Sequence, residues 1–204
     1  GLPAGTYTIT AKDNNGVENT KQVTVTQPAA DPTITTSLAV SDATACNPAG
    51  GNVTFIVTNS QSGINYELKT TGGTSLSPTV TGIGTGSNLN LTILQANVPL
   101  TAGIHNYKVV ATTPSGCNTA ELTDQPILTV YSTPAPTGSA SQSFCFATSP
   151  KISNLVISGS NPVWYNAASG GSVLPTNTSL VNGTTYYASQ TLNGCESPTR
   201  LAVT

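Results

Sequence analysis

Apolar and polar residues alternate with a period of two wherever this chain is periodic at all. Tyr7, Ile9 and Ala11 share one side of such a stretch, with threonines on the other. The pattern returns at Val53, Phe55 and Val57, at Ile64, Tyr66 and Leu68, at Leu89, Leu91 and Ile93, and at Tyr107, Val109 and Ala111. Successive side chains of a strand point to opposite faces, so this spacing predicts strands with one buried face. No long window spaces its apolar positions by three and four, and essentially no α-helix is expected.

One pattern occurs three times. An aromatic strand runs into a turn that ends in glycine: Tyr7 precedes Gly16 by nine residues, Tyr107 precedes Gly116 by nine, and Tyr186 precedes Gly194 by eight. Two of the turns continue as Gly-Cys, at Cys117 and Cys195. A short apolar stretch follows each turn, at 22–26, 126–130 and 199–204. Strand, tight turn and closing strand, recurring with variable material between, mark the end of a small β domain used three times. Residues 1–28 read as the C-terminal part of a β repeat, a hairpin too small to stand alone in water. Residues 29–32 read as a linker, within a proline-stiffened spacer that starts at Gln27. Residues 33–131 read as a complete sandwich of about seven strands, the first at Thr33 to Val40, with 75–86 either loop or edge strand. Residues 132–136 form a second proline-rich linker, and 137–204 a smaller sandwich with strands at Ile152 to Ile157, Val163 to Tyr165, Thr184 to Gln190 and Leu201 to Val203.

Composition supports the all-β reading and narrows the partners. Only 7% of residues are charged, and threonine, serine, asparagine and glycine replace them; these make turns and pleated surfaces but poor helices. A net charge of −2 is spread thinly. With no basic stripe, nucleic acid is not an expected partner. No stretch reads as a signal peptide or membrane span, and the start within a repeat suggests a piece of a longer protein. Four cysteines allow three connectivities. The expectation is one bond inside each complete unit, Cys46 with Cys117 and Cys145 with Cys195, because a crosslink across the proline-rich linker would tie two domains together awkwardly. Four free thiols or a metal site are the alternatives, but there is no Cys-x-x-Cys spacing and His105 is the sole histidine. Disulfides would place the protein in an oxidising, extracellular setting.

Candidate chemistry is sparse, and no catalytic, cofactor-binding or metal site is assigned. His105 has no nucleophile to serve and reads as a surface or capping residue. Glu121 and Asp124 read as a solvated loop pair rather than an acid and base. The turn Asp13-Asn14-Asn15-Gly16 is shorter than a calcium loop and is already a strong hairpin signal. Among the aromatics, Trp164 and one of Tyr186 and Tyr187 are expected in the core, which leaves Tyr165 and Tyr187 as the candidate ligand-facing pair.

Two stretches carry a family resemblance. Leu2-Pro3-Ala4-Gly5-Thr6-Tyr7-Thr8-Ile9-Thr10-Ala11-Lys12-Asp13-Asn14-Asn15-Gly16 is similar to the closing half of the repeat in SprB-type gliding adhesins of Bacteroidetes. The last unit resembles Ig-like modules of the same surface proteins, through Phe144-Cys145, Trp164-Tyr165, Gly170-Gly171 with Leu174-Pro175, Tyr186 to Gln190, and Gly194 to Ser197. Val17 departs from the pattern, standing where such repeats often carry cysteine. The resemblance implies tandem Ig-like β-sandwiches in a large cell-surface adhesin, outer-membrane-associated, exported by type IX secretion and engaged in gliding or attachment. Partners would be other modules of the same chain and a surface polysaccharide or other glycan. Two other functions share this fold. One is a carbohydrate-binding or accessory module set of a secreted polysaccharide-degrading enzyme; the other is a filament subunit whose incomplete first unit is completed by a neighbour's strand.

Overall fold

The computed structural model describes residues 2–26 and 30–204, so the part of the expected first spacer at 27–29 lies outside the described residues. The chain divides into two compact units, Gly1–Thr33 and Ile34–Thr204. The protein is all-β: among the described residues the only helical turns are three short 3-10 turns.

The first unit is a hairpin of β1 (Gly5–Lys12) and β2 (Glu18–Val25) in unbroken antiparallel register. Asp13 closes its turn, accepting the backbone N–H groups of Asn15 and Val17 at 2.9 and 2.8 Å. This use of the carboxylate explains the residue without a bound ion. Of the residues in the two strands, only Tyr7 and Val25 are even partly buried.

The second unit holds two apolar cores. The larger lies within residues 34–131, a sandwich built from β3 (Ala43–Cys46), β4 (Val53–Val57), β5 (Asn65–Thr70), β6 (Ser75–Ile83), β7 (Leu89–Ile93), β8 (Gly103–Thr112), β9 (Thr119–Glu121) and β10 (Ile127–Tyr131). One sheet runs β3-β10-β8-β5-β6, with β9 beside the far end of β8. The other is the pair β4-β7, which turns Val53, Phe55, Val57, Leu91 and Ile93 inward. The alternation seen in the sequence is the facing pattern of these strands.

One expectation for this region changes, and one left open between loop and edge strand is decided. No regular strand forms over 33–40; that segment touches the small sheet at a single bridge, Val40 to Val57, and then crosses to the large sheet as β3. Asp42 and Asp124 hold the crossing by accepting the N–H groups of Ile127 and Val40. The Gly- and Ser-rich stretch is an edge strand, β6, whose ladder jumps from Leu68 opposite Val80 to Lys69 opposite Ser75. Pro78 falls in the skipped residues, where a missing N–H interrupts no pairing.

The smaller core serves residues 132–204. Its main sheet is β14-β13-β15-β18, formed by β13 (Val163–Tyr165), β14 (Val173–Leu174), β15 (Tyr186–Ser189) and β18 (Leu201–Val203). Two short pairs flank it: β11 (Thr137–Gly138) with β12 (Ile157–Ser158), and β16 (Thr191–Leu192) with β17 (Cys195–Glu196). The expected strand at 152–157 is instead a 3-10 turn leading into β12. The Asn154 side chain accepts the Lys151 N–H at 2.8 Å, which curls the backbone and drives Ile152 into the core. Ile152, Trp164, Tyr186, Ala188 and Val203 form that core.

The two regions share a device at their closing strands. In the first, β3 runs parallel to β10. In the second, Thr204 donates its N–H to Ala140 and accepts from Gln142, a parallel contact of the same kind.

Candidate functional site

The cysteines meet where the two regions join. Cys46 is bonded to Cys195, with Cα atoms 5.4 Å apart, and Cys117 and Cys145 are free and exposed. The expected pairs, Cys46 with Cys117 and Cys145 with Cys195, are therefore wrong. Strand direction gives the reason. Cys46 is level with Tyr131, at the end where the chain leaves the first sandwich. Antiparallel β8 starts at that end, with Gly103 opposite Val130, and finishes at Thr112, just before the turn that carries Cys117. Nine steps of strand, roughly 30 Å, separate the two ends. A disulfide spans Cα atoms at most about 7 Å apart. The same reasoning separates Cys145, beyond the segment paired with Thr204, from Cys195, beyond the opposite end of β15.

Repetition puts the Cys195 turn where Cys46 can reach it. The turns at Gly116-Cys117 and Gly194-Cys195 match closely. Thr113 donates its N–H to the Asn118 carbonyl in one, and Thr191 stands opposite Glu196 in the other. Gly116 and Gly194 have φ of 76° and 77°, the left-handed conformation that glycine adopts without strain. Such a turn sits at the entry end of each sandwich, and that of the second faces the exit end of the first.

Polar groups fasten the same junction. Thr133 and Pro136 of the second linker are buried. The Thr133 hydroxyl donates to the Cys195 carbonyl at 2.9 Å. Gln190, also buried, uses both ends of its amide: Nε2 donates to the Pro134 carbonyl at 2.9 Å, and Oε1 accepts the Ser160 N–H at 3.1 Å. Its backbone exchanges bonds with Ser197, whose hydroxyl donates onward to the Thr199 carbonyl. The linker is thus part of the fold of the last sandwich. Gln190 was visible in sequence only as the end of a strand; its role depends on residues 30 to 56 positions away.

The aromatic residues divide between two faces of one sheet. Trp164 and Tyr186 point into the core, and the Tyr186 hydroxyl accepts the Val181 N–H at 2.9 Å. Tyr165 and Tyr187 stand opposite each other on the outer face, both half-buried. Tyr165 is already engaged. The Arg200 guanidinium lies 3.3 Å from its ring centroid, and its hydroxyl donates to Glu196 Oε1 at 2.7 Å. Arg200 is itself fixed by donating to the carbonyls of Ala167 and Gly170, each at 2.7 Å. Hydrogen bonds from Ser189 and Tyr165 hold the Glu196 carboxyl below its ordinary range, aided by the Arg200 charge. The bond to Glu196 and its negative charge push the Tyr165 hydroxyl up. A ring face covered by Arg200 is closed to a sugar.

The remaining candidates have structural partners. His105 Nε2 lies 2.8 Å from the Thr101 carbonyl, Glu121 pairs with Lys108, and Asp124 holds Val40. Among the described residues no group of three or more His, Cys, Asp or Glu side chains gathers to hold a metal ion.

Residues 133–204 match the family model described as "Ig-like domain CHU_C associated". The match starts at buried Thr133 and ends at the last residue, so it covers the whole of the smaller sandwich with its linker. No curated protein matches the chain. The Ig-like region therefore enters its fold through the clamp residues themselves.

Proposed function

We propose that this chain is a non-enzymatic segment of a bacterial cell-surface adhesin, in which Ig-like modules form a force-bearing stalk outside the cell. Gliding motility or surface attachment, with export by type IX secretion, is the setting that kinship with SprB-type adhesins suggests. Other modules of the same chain are its partners, and a surface glycan is the candidate external ligand.

One observation carries the reading: the disulfide crosses the junction. Without it, tension applied between Ile34 and Thr204 runs through 171 residues, a contour of roughly 600 Å when extended. With it, the covalent path is the thirteen residues from Ile34 to Cys46 and the ten from Cys195 to Thr204, roughly 80 Å. Residues 47–194 lie outside that path. An inextensible joint suits a stalk and has no evident use in a catalytic domain. Single-molecule pulling on the full chain from positions 34 and 204 tests this. Reduction should release roughly 500 Å of hidden length, from the 148 residues between the bonded cysteines. Equal extension of the oxidised and reduced protein would sink the proposal.

The carbohydrate-binding reading draws no support from Tyr165, whose ring is covered by Arg200 and whose hydroxyl is bound by Glu196. A glycan-array screen with Tyr187→Ala as control would revive it if saturable binding were lost in the folded variant.

A further inference from the structure

The free cysteines occupy the two ends of the 34–204 unit, and each has a bonded relative in the same molecule. Cys117 follows Gly116 in the entry-end turn of the first sandwich, as Cys195 follows Gly194 in that of the second. Cys145 lies at the exit end of the second sandwich, as Cys46 does at the exit end of the first. It follows the segment paired with Thr204 three residues after Gln142, so it projects somewhat further along the molecule than Cys46, which is directly level with Tyr131. Both free thiols are exposed.

We infer that Cys117 and Cys145 are the head and tail halves of a continuing disulfide ladder, each made to bond an Ig-like module of this same kind. The exit-end cysteine of one module bonds the Gly-Cys turn of the next, as Cys46 bonds Cys195. This rests on residues 34–131 and 132–204 being successive modules of one pattern. The independent observation is the bond already present: the molecule shows which end of a module pairs with which end of its successor. A surface beside Cys145 suits a docked module. A cleft of about 500 Å³ opens next to it, between Phe144 and Gln142 on one side and Leu180 and Val181 on the other, with Tyr186 in its lining. Phe144 and Val181 are 39% and 63% exposed, an apolar rim left uncovered among the described residues. The occupant is the entry end of another such module, bearing a Gly-Cys turn.

The chemistry balances with a disulfide oxidant. A Cys145 thiolate attacks a sulfur of oxidised glutathione and releases one glutathione thiol. The Cys117 thiolate of the neighbour then attacks the Cys145 sulfur of the mixed disulfide and releases the second. One S–S bond is made, one is consumed, and two protons pass from the cysteine thiols to the glutathione thiolates.

A second copy of the full chain serves as the neighbouring module. Cys117→Ser, which keeps only the tail thiol, and Cys145→Ser, which keeps only the head thiol, are mixed in equal amounts in a glutathione redox buffer. Crosslinked species are then mapped without reduction. The ladder predicts the Cys145-to-Cys117 adduct in at least about tenfold excess over either symmetric adduct, because only head and tail dock. A statistical mixture of the three adducts, or no adduct, overturns the inference. The same map reports the Cys46-to-Cys195 bond. Its absence would sink the stalk reading, whereas its presence beside a statistical mixture would sink the ladder alone.

Discussion

The two sandwiches of the 34–204 unit solve the same problem with unequal means. The first surrounds Phe55, Tyr66, Leu68, Leu91, Val109 and Leu128 with further buried aliphatics from both sheets, and Tyr107 packs its ring 5.6 Å from that of Phe55. Among the described residues, the core of the second buries five. It makes up the difference at its edge: a linker hydroxyl on Cys195, a glutamine amide shared between linker and loop, and a covalent bond to the preceding sandwich. A module of about seventy residues has too little apolar surface to hold a firm core alone, and a neighbour supplies what is missing. The small sandwich thereby depends on its neighbour, as the proposed stalk would require.

The largest blow to that asymmetry is removal of the bond. Replacing both Cys46 and Cys195 by serine frees a loop of 149 residues, a loss of about 5 kcal/mol on the chain-entropy account. Urea unfolding followed by amide exchange should show 137–204 losing protection first, while the core around Phe55 persists. Equal loss in both regions would mean that the last sandwich is not the dependent partner.

A smaller effect is expected from Gln190→Ala. It strands the Pro134 carbonyl and the Ser160 N–H in a part-buried junction where both residues reach solvent, which costs about 1 kcal/mol. The loss should appear in the thermal unfolding of the last sandwich. An unchanged melting profile would show that the polar clamp is incidental and the disulfide alone holds the joint.

The smallest effect is electrostatic. Glu196 titrates below its ordinary 4.5 in the folded protein, so its contribution is complete above that value and is lost as pH falls through the folded-state value. Tyr165 is shifted upward, so its contribution is present below its ordinary 10.0 and fades as pH rises past it. At so exposed a site the carboxylate is worth about 0.5 kcal/mol or less. Glu196→Gln should flatten the acid limb of the stability curve and leave neutral pH nearly untouched. An acid limb identical in both proteins would remove Glu196 from the account.

Much of this protein was legible along the chain. Alternation of two, as in Val53, Phe55 and Val57, named the strands and their inner faces, because the pleat makes facing a local property. The same logic put Trp164 inward and Tyr165 outward, and Gly-ended turns marked where the chain reverses. Asn154 defeated the strand expected over 152–157 through a side-chain bond that spacing cannot reveal. The cysteine pairing was decided only in three dimensions. Cys46 and Cys117 bracket one repeat in sequence, yet strand direction sends them to opposite ends of the sandwich, and the nearest turn cysteine belongs to the next one. Periodicity fixes which face a residue takes; only the assembled sheets fix which end it reaches, and a disulfide, with a span of a few ångströms, depends on the end.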